Sequence, residues 1–175
     1  MTMAPGFRKL ALAVHVTFSV GWVGAVAGFV ALAVAGLSSQ DAQLVRAAYL
    51  AMKVTTWSVI VPLALVSLLS GMVSSLGTSW GLLRYYWVLV KLLITILAAI
   101  ALLIHAQPID LLAAAAAKTT AFSADLQGQQ LHMLTASAAA LVVLIGLTVL
   151  SLYKPQGMTR YGWRKQRERP APSQP

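Results

Sequence analysis

The chain has 175 residues, of which 59% are hydrophobic and only 10% are charged. A soluble domain carries charged residues at roughly 25% of its positions, so this composition indicates a protein that is surrounded mainly by lipid. The net charge is +9, but the basic residues lie between and after the apolar runs, which favours lipid headgroups over nucleic acid as the anionic partner. The absence of cysteine excludes disulfides, iron–sulfur clusters and cysteine nucleophiles.

Four apolar runs are long enough to cross a membrane, which requires about 20 residues of helix. We predict spans at residues 10–37, 54–76, 85–106 and 131–153. The first run is much longer than the roughly 7–15 apolar residues of a signal peptide, so we interpret it as a retained span. The predicted fold class is an all-α integral membrane protein. Residues 1–154 form a four-helix transmembrane bundle, and residues 155–175 form a basic tail.

Basic residues are distributed unequally between the two ends of this bundle, and the side richer in Lys and Arg normally faces the cytoplasm. With the N-terminus inside, the cytoplasmic side holds ten of the thirteen basic residues: Arg8, Lys9, Arg84, Lys91, Lys154, Arg160, Arg164, Lys165, Arg167 and Arg169. The other three, Arg46, Lys53 and Lys118, lie outside. We therefore predict that both termini are cytoplasmic.

The segments outside the spans are short or polar. Alanine-rich residues 111–117 predict a short helix at the outer surface. The basic tail, which includes Tyr161 and Trp163, is suited to lie on anionic lipids. An equally good interpretation is that its charges only set the topology. The last residues, 169–175, are predicted to be disordered.

Ionisable residues inside a span are costly in hydrocarbon and are therefore candidates for function. Counting along each helix at about 1.5 Å per residue separates these residues into two layers. The inner layer contains His15 and Lys91, and the outer layer contains Lys53, His105 and His132. His15 consequently lies too far towards the cytoplasm to share a ligand with the outer histidines.

Two histidines on facing helices at one depth are a common arrangement for binding haem iron, since neutral imidazole nitrogens are good axial ligands. His105 and His132 meet the depth condition, and Lys53 or Arg46 is a candidate partner for the propionates. The alternative is that both histidines are interfacial residues without a ligand, because each lies near the end of a span. For His15, the alternative is a buried imidazole that is hydrogen-bonded to a neighbouring carbonyl or hydroxyl group.

Small residues form a ridge on the first span, on the face opposite His15 and Trp22. The ridge contains Gly21, Gly24 and Gly28, and the last two have the GxxxG spacing that permits close helix approach. This ridge predicts contact with a second copy, a membrane redox partner or a flat cofactor.

Three other features are interpreted structurally. Pro62 is predicted to kink the second span. Trp22 and Trp57 are predicted to be packing residues. Met133 adjoins His132, but neighbouring residues diverge on a helix, so this pair is a poor chelate for Cu(I).

Three stretches carry a resemblance to known proteins: "HVTFSVGWVG" (15–24), "YYWVLVKLLITILAAIALLIH" (85–105) and "LYKPQGMTRYG" (152–162). With them, the chain resembles a bacterial family of small four-helix membrane proteins of unknown function. In spans one and three it is distantly similar to copper-resistance D-type membrane proteins and to membrane-bound protoporphyrinogen oxidase.

The resemblance implies a protein of the bacterial cytoplasmic (inner) membrane with a bundle that can hold haem b. The resemblance also implies that His15 contacts haem or a substrate and that Lys91 accompanies it. The chain departs from the oxidase pattern after Trp22, where "VGAVAGFVAL" contains no arginine. It also lacks the extra spans and Met-rich segments that are expected of a copper importer.

Three functions are compatible with these residues. The first is a b-type haem protein for electron transfer or haem handling, with His105 and His132 as outer axial ligands and His15 as an inner candidate. The second is handling of copper or another metal by the same histidines. The third is a structural or accessory subunit without a cofactor. The chain has no Ser–His–Asp arrangement, phosphate loop or carboxylate pair, which argues against a hydrolase or another enzyme of the soluble type and leaves a redox role open.

Overall fold

The computed structural model describes residues 3–77, 82, 84–118, 124–153 and 157–167. The regular elements in this part of the chain are helices: α1 (Pro5–Ser38), α2 (Ala42–Thr55), a π-helical turn (Thr56–Ile60), α3 (Val61–Leu76), α4 (Tyr86–Lys118), α5 (Ala124–Tyr153) and α6 (Arg160–Arg167). Four helical segments are long and apolar enough to cross a membrane: Pro5–Ser38, Ala42–Leu76, Tyr86–Lys118 and Leu126–Tyr153. The prediction of an all-helical chain with four candidate spans is confirmed.

The four long segments form an up-down-up-down bundle. Helices α1 and α4 lie diagonally opposite each other, and each packs against α2, α3 and α5. We call the end where α1 begins and α5 ends the terminal end, and the opposite end, with the turn at residues 39–41, the loop end. Large apolar side chains such as Leu93 and Ile104 are exposed on the outside of the bundle, as expected for helices that are surrounded by lipid.

The helices are longer than the predicted spans. Helix α1 has 34 residues and α4 has 33, which corresponds to about 50 Å at 1.5 Å per residue, whereas a bilayer core is about 30 Å thick. The prediction of a separate surface helix at residues 111–117 is wrong, because α4 continues through Pro108 to Lys118. The extension buries an apolar face whose residues recur at helical spacing: Ile109, Leu112, Ala113 and Ala116. Helix α4 also packs against α2.

Close packing of α1 on α2 completes the core at the loop end. Tyr49, Met52, Ile109 and Leu112 are the largest fully buried side chains. A Cβ atom at Gly36 of α1 would lie only 2.9 Å from Cε2 of Tyr49. The absence of a side chain at this position therefore allows the tyrosine ring to lie directly against α1.

The turn around Pro62 is wider than an α-helical turn. The backbone N–H of Val61 donates to the carbonyl of Thr56, five residues earlier. Proline lacks an N–H, and its ring would clash with the carbonyl four residues before it. The predicted distortion by Pro62 is thus accommodated as a π-helical turn, in which Thr56 and Ile60 are buried.

The chain after the last span is attached to the start of α4. The backbone N–H of Thr159 donates to the carbonyl of Arg84 at 2.9 Å, and that of Tyr86 donates to the carbonyl of Gly157 at 3.1 Å. The Thr159 hydroxyl caps α6 by accepting from the N–H of Gly162 at 3.1 Å. These bonds hold the basic helix α6 at the terminal end. The tail segment predicted to be disordered, residues 169–175, lies outside the described residues.

Replacing Gly36 by alanine is expected to lower the melting temperature of the detergent-purified protein. The new methyl group would lie 2.9 Å from the buried ring of Tyr49, and such overpacking costs about 1–3 kcal/mol. Gly28→Ala on the same helix is the matched control, since a Cβ there meets no atom within 4 Å. Thermal unfolding followed by tryptophan fluorescence measures both variants. Equal melting temperatures would contradict the close approach of α1 and α2 at Gly36.

Candidate functional site

The ionisable residues predicted inside the spans form two separate groups. At the loop end, the rings of His105 and His132 have their centroids 5.3 Å apart. Towards the terminal end, Lys91 lies close enough to His15 to act on it electrostatically. Fourteen residues separate Lys91 from His105 on α4, which is about 21 Å at 1.5 Å per residue.

A cavity of about 390 Å³ lies between α1, α4 and α5 and reaches His105. Small-molecule sites in proteins commonly have volumes of about 300–1,000 Å³. Its walls include Trp22 and Phe29 from α1 and a set of alanines from the facing helices: Ala98, Ala101 and Ala106 on α4, and Ala136, Ala139 and Ala140 on α5. Because alanine side chains are short while the α1 aromatics are bulky, the helices leave a space that their own side chains do not fill.

The imidazole of His105 has a defined tautomer. Its Nδ1 atom lies 2.7 Å from the carbonyl oxygen of Ala101, one helical turn earlier. A carbonyl oxygen can only accept a hydrogen bond, so Nδ1 carries a proton, and in the neutral imidazole Nε2 is then the nitrogen with the lone pair. His105 is therefore a histidine on the cavity wall whose Nδ1 atom is bonded to its own helix.

His132 reaches His105 but does not line the cavity. It is exposed, and its ring stacks on His105 with an interplanar angle of 28°. Two axial ligands of one iron must direct nitrogens at the metal from opposite sides, whereas stacked rings present their faces to each other. The structure thus brings the two predicted ligands together without arranging them as an axial pair.

Met133, which the sequence argument set aside, faces the cavity instead. Its side chain is 3% exposed and lines the cavity together with His105. Neighbouring residues diverge on a helix, which makes Met133 a poor partner for His132. The same divergence directs Met133 inwards while His132 is exposed. That same divergence is the signal from which its position opposite α4 could have been inferred.

Lys53 has a partner within the chain. Its Nζ atom lies 3.2 Å from a carboxylate oxygen of Asp110, which joins α2 to α4 at the loop end. Neither Lys53 nor Arg46 is among the described residues that line the cavity. The structure therefore does not place either predicted propionate partner at this cavity wall.

His15 is held against α3. Its Nδ1 atom donates to the carbonyl oxygen of Ser67 at 3.0 Å. The same Nδ1 atom lies 3.3 Å from the hydroxyl oxygen of Ser70. A Cβ atom at Gly71 would lie 2.9 Å from Cε1 of His15, so the ring rests on the helix backbone at the glycine. This hydrogen-bonded imidazole matches the alternative interpretation of His15.

Lys91 belongs to the same region. Its Nζ atom donates to the hydroxyl of Ser151 on α5 at 2.6 Å. Ser19 and Ser67, next to His15, share a hydrogen bond of 2.7 Å. Helices α1, α3, α4 and α5 thus each contribute polar side chains to this part of the bundle.

The small-residue ridge on α1 is mostly open. A Cβ atom at Gly24 or Gly28 would meet no atom within 4 Å, whereas one at Gly21 would contact Leu63 at 3.6 Å. On the inward side of the helix, Trp22 is buried. Association with a second copy or a membrane redox partner through the glycine face stays a prediction.

No family model, curated protein or solved structure matches the chain. The resemblance to small bacterial four-helix membrane proteins, copper-resistance D-type proteins and protoporphyrinogen oxidase therefore stays a prediction. Among the described residues, no group of three or more His, Cys, Asp and Glu side chains is arranged to bind a metal ion.

Gly71→Ala is expected to displace the His15 ring, because the added methyl group would lie 2.9 Å from Cε1 of the imidazole. Nitrogen NMR of labelled histidine side chains measures the effect. In the wild type His15 should show a protonated Nδ1 atom, and in the variant this preference should be lost.

Gly146→Ala on α5 serves as the control for this experiment, since a Cβ atom there meets nothing within 4 Å. The His105 signal is an internal reference in every sample. An unchanged His15 signal in Gly71→Ala would contradict the contact between the ring and α3.

Proposed function

We propose that this protein binds haem b within the membrane, in the cavity between α1, α4 and α5, with His105 as an axial ligand. The observation that carries the proposal is the position and tautomer of His105. It lines a large apolar cavity, and its Nδ1–H bond to the carbonyl of Ala101 leaves Nε2 free to bind iron. Apolar walls with many small side chains suit a flat, hydrophobic ring system.

The number of protein ligands favours haem over a bare metal ion. Structural zinc sites take four ligands from the protein, and catalytic ones take three. No described cluster of three or more His, Cys, Asp and Glu side chains supplies such a set. A porphyrin provides four nitrogens itself and needs only one or two residues from the protein. Handling of copper or another metal is therefore the weaker alternative.

Two residues of α5 are candidates for the second axial position. Met133 already lines the cavity with His105, whereas His132 would have to leave the stacked arrangement first. A His–Met pair raises the reduction potential of haem relative to a His–His pair. Haem held by His105 and a residue of α5 would supply a one-electron centre without an open coordination position, which favours electron transfer or haem handling over oxygen chemistry.

We further propose that the bundle lies in the bacterial cytoplasmic membrane with both termini in the cytoplasm. Exposed arginines of α6, Arg160, Arg164 and Arg167, lie at the terminal end together with exposed Tyr161 and Trp163. This arrangement supports the positive-inside orientation and contact of α6 with anionic lipids.

A haem titration of the detergent-purified chain tests the proposal. The wild type should bind one haem per chain and show a Soret band and, after reduction with dithionite, sharp α and β bands. His105→Ala should bind haem at least about tenfold more weakly, which corresponds to 1.4 kcal/mol or more. Met133→Leu should keep the Soret band but change its position in the oxidised state, because one axial ligand is lost.

His132→Ala distinguishes the two candidates for the second axial position, since it removes an imidazole that stacks on His105 outside the cavity. It should retain tight binding. Equal affinities of the wild type and His105→Ala would contradict the assignment of His105. A titration in which the wild-type protein leaves the spectrum of free haem unchanged would exclude the function.

A further inference from the structure

Among the residues whose side chains the structure describes, no carboxylate pairs with the positive charge of Lys91. The chain has four acidic residues, and the two whose side chains are described lie at the loop end, where Asp41 caps α2 and Asp110 pairs with Lys53. Within the described part of the chain, the hydrogen-bond acceptor for the Lys91 side chain is the neutral hydroxyl of Ser151. Removing an ammonium group from water without a counter-ion is costly, so this charge favours an anion from outside the chain.

Hydrogen-bond donors remain available at this level. An ammonium group has three N–H donors, and Lys91 uses one of them towards Ser151. The hydroxyl of Ser74 is buried and has no hydrogen-bond partner among the described residues. Ser74 lies four residues after Ser70, so it follows the serines that contact His15 on the same face of α3, nearer the terminal end.

Lys91 lies near the terminal end of α4, where a long side chain can reach the headgroup region of a membrane. It lies five residues after the start of α4 at Tyr86, which is about 7.5 Å along the helix. Ser151 lies two residues before the end of α5 at Tyr153. An anion at this level can therefore come from the adjacent lipid leaflet, and the exposed arginines of α6 at the same end increase the local concentration of anionic lipids.

We propose that Lys91, held in place by Ser151, binds the phosphate group of an anionic phospholipid from the leaflet at the terminal end. The Ser151 hydroxyl accepts a hydrogen bond from Lys91 and donates its own to the carbonyl of Leu147, so Ser151 positions the ammonium group. The ammonium group donates two hydrogen bonds to phosphate oxygens, and Ser74 supplies a further hydroxyl at this level. His15, fixed by Ser67 and seated on Gly71, forms the deep wall of the site. This site is about 21 Å from His105 along α4, so it does not depend on the proposed haem function.

Lipid-dependent thermal unfolding of the full chain in detergent tests the proposal. Phosphatidylglycerol should raise the melting temperature of the wild type in a saturable manner, and zwitterionic phosphatidylcholine should not. Lys91→Gln should weaken the apparent lipid affinity at least about tenfold. Lys118→Gln, which removes an exposed charge from the other end of the same helix, should behave like the wild type.

Two further arms keep the test decisive. If Lys91→Gln does not fold, Lys91→Arg and Ser151→Ala replace it: the first should retain the lipid effect and the second should weaken it. Inorganic phosphate is titrated separately, and stabilisation by phosphate without stabilisation by the lipid would overturn the lipid assignment. If α6 alone attracts the lipid, the lipid should raise the melting temperatures of Lys91→Gln and the wild type equally. That result would overturn the site.

Discussion

The structure depends on one constraint: in four helices as apolar as these candidate membrane spans, buried polar side chains must find hydrogen-bond partners within the bundle. The outside of the four long helices is apolar, and the few polar side chains therefore bond to one another or to the backbone. His15 donates to a carbonyl of α3, Lys91 to a hydroxyl of α5, and His105 to its own helix. Each of these bonds fixes the direction of an ionisable group, so the residue is held in one orientation within the bundle.

Packing along the bundle is uneven, and the unevenness creates the candidate site. At the loop end, Gly36 allows Tyr49 to approach α1, and the extended part of α4 buries its apolar face while packing against α2. In the adjoining layer, alanines of α4 and α5 face bulky side chains of α1, and a cavity remains. The π-helical turn before Pro62 adds the side chains of Thr56 and Ile60 to the cavity wall. Departures from regular helices are often found at functional sites.

Composition and residue counting were sufficient for the helices and for the two polar layers, because span length and helical rise are nearly constant. They could not give the rotation of one helix against another. For this reason the sequence placed His105 and His132 at one depth but could not show that their rings stack, or that Met133 faces the cavity. The continuation of α4 through Pro108 was also missed, since local signals for ending a helix were outweighed by burial of a face that only the folded bundle defines.

Filling the cavity without changing His105 or Met133 is the sharpest test of haem binding between α1, α4 and α5. Ala136→Phe places a large ring in the wall formed by α5, whereas Ala27→Phe adds the same ring to an exposed position of α1. The measurement is the reduced-minus-oxidised absorption spectrum of each protein after incubation with haem, for variants that keep the melting temperature of the wild type. We expect a sharp α band for the wild type and Ala27→Phe and its loss in Ala136→Phe. An identical α band in all three proteins would show that haem does not occupy this cavity.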